Sequence, residues 1–172
     1  MKEFSHQMSE MKEICSVINQ RLLLVLDVAL YKIHNNQPIE DIQQEKRILV
    51  HSKYVAYKRG LNEDSLANFF NMLMVAAKLV QYRYFAQTLI YQPVVDSQLV
   101  KDLNGNVRPE LNKLGQKLIN LIKQKLETSG PFTENEWDQF IRMTSNDSLS
   151  DAEKRYLFES LKQIRLSEEK QT

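Results

Sequence analysis

The sequence predicts an all-α single domain of about six helices, and three observations carry that prediction. Glycine and proline number only four each in 172 residues while apolar residues make up 42%, a balance suited to long helices rather than to turn-rich sheets. Apolar residues recur at steps of three and four over most of the chain, and helix start and stop signals fall between those periodic runs. The length supports one well-developed core, whereas two independent domains would each be close to marginal size.

The first helix is predicted from about Ser9 to Asn35, with Ile14, Ile18, Leu22, Val25, Leu26, Ala29 and Ile33 on one face. It ends at HNNQP, where two Asn favour a turn and Pro38 disfavours helix at Gln37 while pre-setting the next start. A second helix is expected over about Ile39 to Arg59, closed by Gly60 as a left-handed cap. Asn62 caps the third, whose stripe of Leu66, Phe69, Phe70, Leu73, Ala76, Ala77, Val80 and Tyr84 leads on towards Tyr91 before Pro93 stops it. Residues 9–91 therefore read as three core helices.

Residues 93–107, with Pro93 and the Asn104-Gly105-Asn106 turn signal, read as a crossover loop. Helix is predicted to resume at Pro109 and to run through Leu111, Leu114, Leu118, Leu121, Ile122 and Leu126 until Ser129-Gly130-Pro131 breaks it. Capping boxes from Thr133 to Glu136 and from Ser150 to Glu153 start the remaining helices of the 108–166 segment, and the charged tail after Leu166 is expected to fray.

The net charge is +1 with both signs interspersed, so no basic stripe suits a phosphate backbone, and nucleic acid is not an expected partner. Cys15 stands alone and no Cys/His spacing matches a zinc site; it reads as a structural thiol, and His6, His34 and His51 as surface or loop histidines. The polar start MKEFSHQMSEMKE lacks the apolar stretch of a leader, and LLLVLDVAL at 22–30 is too short to span a bilayer, so no membrane partner is expected.

Polar residues on apolar helix faces are the informative departures, because an unpaired buried charge is costly. Lys32 follows Arg21 by eleven residues, a rotation of only about 20°, so both point the same way. Asp41 and Glu45 share a face with Gln44 beside them, and Gln81 sits within the apolar stripe of the third helix. Lys46 and Arg47 are expected to point away from that face. Packed together, these helices can present Arg21, Lys32, Gln81 and two carboxylates to a small polar anion. Singly, Arg21 and Lys32 read more often as cations reaching solvent from a helix edge, and Asp41 with Glu45 more often as a solvated helix start.

In order and spacing, Arg21, Lys32, Pro38-Ile39, Asp41, Glu45, Gly60-Leu61, Phe69-Phe70 and Gln81 resemble the helical chorismate mutases. Val107-Arg108-Pro109-Glu110-Leu111 resembles the place in the secreted, gamma-type enzymes where an arginine completes the pocket from within the same chain. The resemblance implies an isomerase of the shikimate route to aromatic amino acids that rearranges chorismate to prephenate, without cofactor or metal, as a homodimer. It implies Lys32 and Gln81 at the ether oxygen, Glu45 at the hydroxyl, and Arg21, Arg108, Asp41 and Gln44 in binding. It also implies a periplasmic or secreted protein if a leader preceded Met1, and a cytoplasmic one otherwise. Two positions depart from the family pattern: Gln44 stands where an arginine is common, and Ala77 where a serine or threonine is. They motivate an alternative, a catalytically silent relative that binds a ligand or regulates.

Overall fold

The computed structural model describes residues 2–91 and 96–168, with side chains from residue 8 onward. Six α-helices follow one another: α1 Lys2–His34, α2 Ile42–Arg59, α3 Glu63–Tyr91, α4 Arg108–Thr128, α5 Trp137–Met143 and α6 Asp151–Lys162. Among the described residues there is no strand; an isolated bridge joins Leu61 to Leu166.

The first helix is the axis of the fold, packing against α3, α4 and α5 while α2 lies on α3. Its Ile14, Ile18 and Leu22 join Phe69 of α3, Leu118 and Ile122 of α4 and Phe158 of α6 in one core, each at most 2% exposed. By length and composition Met8–His34 is apolar enough to cross a membrane, a longer stretch than the nine-residue run at 22–30. Here its apolar side supplies the core.

Helix boundaries follow capping chemistry more than apolar period. The first helix starts at Lys2 rather than near Ser9, because the polar opening contains no glycine or proline and is rich in good helix formers that apolar periodicity ignores. Near this end Glu10 of α1 accepts hydrogen bonds from Thr128, the last residue of α4, and from Ser129 just beyond it, at 2.6 Å each, docking the two helices. The second helix starts at Ile42, three residues later than predicted, because Asp41 is its N-cap and accepts from the Gln44 amide at 3.1 Å. Pro38 shapes the preceding connection instead of opening the helix. Gly60 closes α2 at φ +70°, where a side chain would be strained, and Asn62 accepts from the Ser65 amide at 3.0 Å to cap α3.

The crossover is more ordered than a loop. Pro93 lies outside the described residues, but Ser97–Leu99 forms a 3₁₀ turn and Leu103–Val107 a π-helical turn. The Asp102 carboxylate accepts from the Gly105 amide, and buried Leu103 and Val107 pack on Val28 of α1. That turn runs straight into α4, which begins at Arg108, one residue before Pro109. Both capping boxes form; the first opens a short 3₁₀ turn that continues into α5. The tail is held as far as Ser167, whose amide donates to Gly60 at 2.9 Å, while Asn62 donates to Arg165 at 2.9 Å. Residues 169–172, where fraying was expected, lie outside the described residues.

Candidate active site

A cavity of about 390 Å³ lies between α1, α2, α3 and α4, within the size range of small-molecule sites. All seven residues singled out from the sequence line it: Arg21 and Lys32 from α1, Asp41, Gln44 and Glu45 from the start of α2, Gln81 from α3 and Arg108 from the start of α4. Arg108 arrives from the same chain because the π-helical turn docks on α1 and aims the first turn of α4 inward.

At one end Arg21 donates from Nη1 to the carbonyl of Leu111 at 2.6 Å, and its guanidinium lies 5.7 Å from the centre of the Phe70 ring. Burial pulls its pKa down from 12.5 to about 10, which still leaves it charged at neutral pH. Gly115 permits this approach: a Cβ there would stand 3.2 Å from Nη1 of Arg21. Lys32, only 6% exposed, donates to the Ile39 carbonyl at 2.5 Å, so the connection shaped by Pro38 returns to brace it. Burial lowers the Lys32 pKa, partly offset by the charge of Asp41.

The carboxylates are engaged. Asp41 pairs with Nη2 of Arg108 at 2.7 Å while its other oxygen caps α2, and Asn104 accepts from Nη1 of Arg108 at 2.8 Å. Burial pushes the Asp41 carboxyl up, but the Gln44 amide and Arg108 outweigh it and hold it below the usual value. Glu45 pairs with Lys78 at 3.2 Å, and Lys78 reaches Glu40 at the same distance. The sequence reading missed Lys78, although a lysine three residues before Gln81 in an apolar run is the same kind of signal. Gln81, 5% exposed, donates from Nε2 to the Ala77 carbonyl at 3.3 Å, and its Oε1 has no partner although it is fully buried.

Lys46 is exposed and does not line the cavity, as expected, but Arg47 does line it. Three residues on from Gln44 a side chain lies only about 60° away around the helix, within reach for a long arginine. His51 also lines the cavity, with Nε2 at 3.1 Å from Nε2 of Gln116 on α4, so it belongs to the rim rather than to unrelated surface. His34 is exposed, and His6 lies outside the described side chains. Cys15 is buried away from the cavity, and burial pushes its thiol up to about 12, which suits a structural role. Among the described residues no group of three or more His, Cys, Asp or Glu is placed to hold a metal.

The lining carries five cations, Arg21, Lys32, Arg47, Lys78 and Arg108, against two carboxylates. Arg21 and Lys32 hold only backbone carbonyls, so the cavity offers buried positive charge that an anion can neutralise. The chorismate mutase type II family matches residues 12–82. A monofunctional chorismate mutase of Enterobacter agglomerans is 34% identical over 152 residues, 88% of this chain and 81% of the relative. A secreted chorismate mutase of Yersinia pestis is 32% identical over 160 residues, 93% of this chain and 84% of the relative. The crystal structure of secreted chorismate mutase from Yersinia pestis superposes with a TM-score of 0.80 at 30% identity, covering 90% of this chain and 98% of that one. The likeness spans both the pocket helices and the C-terminal helices that supply Arg108, and the chain belongs to the chorismate mutase family.

Proposed function

We propose that this protein is an isomerase that rearranges chorismate to prephenate within the α1–α4 cavity, without a cofactor. The observation that carries the reading is the convergence of Arg21, Lys32 and Gln81 on one positively charged cavity. The substrate has two carboxylates, and holding it folded brings the reacting carbons together, so orientation accounts for a large part of the catalysis. Arg21 and Arg108 clamp the carboxylates with the guanidinium N–H groups left over from their bonds to Leu111, Asn104 and Asp41.

As the carbon–oxygen bond breaks, negative charge grows on the ether oxygen. The Lys32 ammonium and the second N–H of the Gln81 amide donate to that oxygen from fixed positions, in a site where such donors are worth several kcal/mol. Glu45, paired with Lys78 at 3.2 Å, accepts from the substrate hydroxyl, and Gln44 lies beside it as a neutral binding contact. Asp41 acts on the substrate through Arg108, whose guanidinium it orients.

We assign the working form as a homodimer, supported by the exposed apolar residues Phe85, Leu89, Ile90 and Tyr91 near the end of α3. The relative named as secreted supports a periplasmic or secreted location. Neither nucleic acid nor a membrane enters this reading.

The second reading, a silent relative that binds the same ligand, draws on Gln44 and Ala77, which line the cavity without a cation or a hydroxyl. Purified protein mixed with chorismate separates the two. Prephenate formation supports the enzyme; calorimetric binding of chorismate with no prephenate formed supports the silent relative.

A further inference from the structure

Arg47 is a charge at the cavity that the roles above leave unassigned. It lines the cavity, is exposed, and has no hydrogen-bond or ion-pair partner among the described residues. The other lining cations are committed. Arg21 holds the Leu111 carbonyl, Lys32 the Ile39 carbonyl, Lys78 the carboxylates of Glu40 and Glu45, and Arg108 uses both terminal nitrogens on Asn104 and Asp41. Asp41 also neutralises much of the Arg108 charge at that end.

Arg47 therefore differs from them: its fork is unoccupied, and it is paired with no carboxylate among the described residues. On the α2 face it lies about 60° from Gln44 and about 40° from His51, both of which line the cavity. A free guanidinium at this edge of a cavity already rich in positive charge suits a carboxylate that projects outward from a bound ligand. We propose that Arg47 binds the outward carboxylate of the dianionic substrate, sharing it with Arg108, and thereby sets affinity rather than the rate of bond rearrangement. This rests on the function proposed above, whose substrate carries two carboxylates. Arg47 supplies from one turn further along the helix the cation that Gln44 does not.

The test is calorimetric titration with prephenate, the product dianion, alongside steady-state rates with chorismate, on wild type, Arg47→Ala, Arg47→Lys and Lys46→Ala. Lys46 is an exposed neighbour of the same charge that does not line the cavity, so its removal reports the effect of net charge alone. Arg47→Ala is expected to weaken prephenate binding and raise KM about tenfold, with kcat within twofold, as loss of one charge-assisted contact implies. Arg47→Lys recovers part of the loss, and Lys46→Ala matches wild type. Unchanged prephenate affinity in Arg47→Ala overturns the proposal, as does an equal loss in Lys46→Ala. If wild type binds prephenate but turns over no chorismate, the proposed activity fails while the Arg47→Ala binding ratio still decides the role of Arg47. A wild type that binds no prephenate overturns both.

Discussion

Arg21 on α1 and Leu111 on α4, 90 residues apart in sequence, are joined by a 2.6 Å hydrogen bond from guanidinium to backbone carbonyl. The bond fixes the direction of a partly buried cation with a backbone group that no side-chain substitution on α4 removes. What keeps α4 close enough is Gly115, one turn beyond Leu111, where a Cβ would crowd Nη1 of Arg21 at 3.2 Å while meeting the Phe70 ring at an ordinary contact distance of 3.6 Å.

Gly115→Ala is therefore expected to separate activity from stability. Alanine favours a helix interior by about 1 kcal/mol over glycine, so Tm should hold or rise slightly. The displaced Arg21 should lower kcat/KM roughly tenfold, since small misplacements of a clamp are costly. Thermal melts and steady-state rates on the same preparation check both signs, and wild-type activity in Gly115→Ala would remove the positioning role.

Arg21→Lys should not behave conservatively. A lysine ammonium lacks the planar fork that can hold the Leu111 carbonyl and a substrate carboxylate together, so kcat/KM is expected to fall at least about tenfold with the helix content unchanged. Kinetics with circular dichroism provide the check.

The pH dependence should show the buried ammonium. Burial lowers the Lys32 pKa below the ordinary 10.5, and the protonated form is the hydrogen-bond donor. Activity is thus expected to be present at neutral pH and lost on an alkaline limb whose midpoint lies below 10.5. Stability carries the opposite sign: the unfolded chain keeps this proton longer than the folded one, so the Lys32 contribution rises with pH across that window. In a kcat/KM profile, which reports the free enzyme, Lys32→Arg should shift the limb to higher pH, leaving the part due to Arg21, whose own value lies at about 10, and a wild-type limb at or above the ordinary lysine value would contradict the assignment.

At the acid end the ion pair between α3 and α6 should respond. Arg83 holds the Glu153 carboxyl down to about 2 from 4.5, helped by the Ser150 amide, and the pair is bidentate at 2.8 and 2.6 Å. A lowered carboxylate pKa contributes stability that is present above 4.5 and lost as pH falls towards 2. Because the pair is partly exposed, Glu153→Gln should cost only about 1 kcal/mol at pH 7. Urea titrations at neutral and acid pH should show that difference shrinking as the medium is acidified.

The periodic runs from Ile14 to Ile33, from Leu66 to Tyr84 and from Leu111 to Leu126 each became a helix with its stripe inward, because burial of an apolar face is what their spacing encodes. Polar control of the ends was harder to read. Nothing in apolar period distinguishes Pro38 as a helix opener from Asp41 as the N-cap, and the π-helical turn at Leu103–Val107 depends on docking against Val28 across the fold. In the site, the seven residues chosen by position share one cavity, but their pairings were not legible. Lys78 against Glu45 and Arg108 against Asp41 are contacts between helices whose relative height a single sequence does not state. Arg47 departs from the expectation that it points away from the pocket face, because three residues on from Gln44 a side chain lies only about 60° round the helix.

The account centres on the Lys32 ammonium acting on a breaking ether bond inside this cavity, and the initial rate of chorismate absorbance loss for wild type and Lys32→Ala tests it most directly. Chorismate should be consumed by wild type well above the uncatalysed rate, and roughly 10²- to 10³-fold more slowly by Lys32→Ala, the loss expected for one preorganised donor. Equal rates in the two proteins, or chorismate left unchanged by wild type, would contradict it.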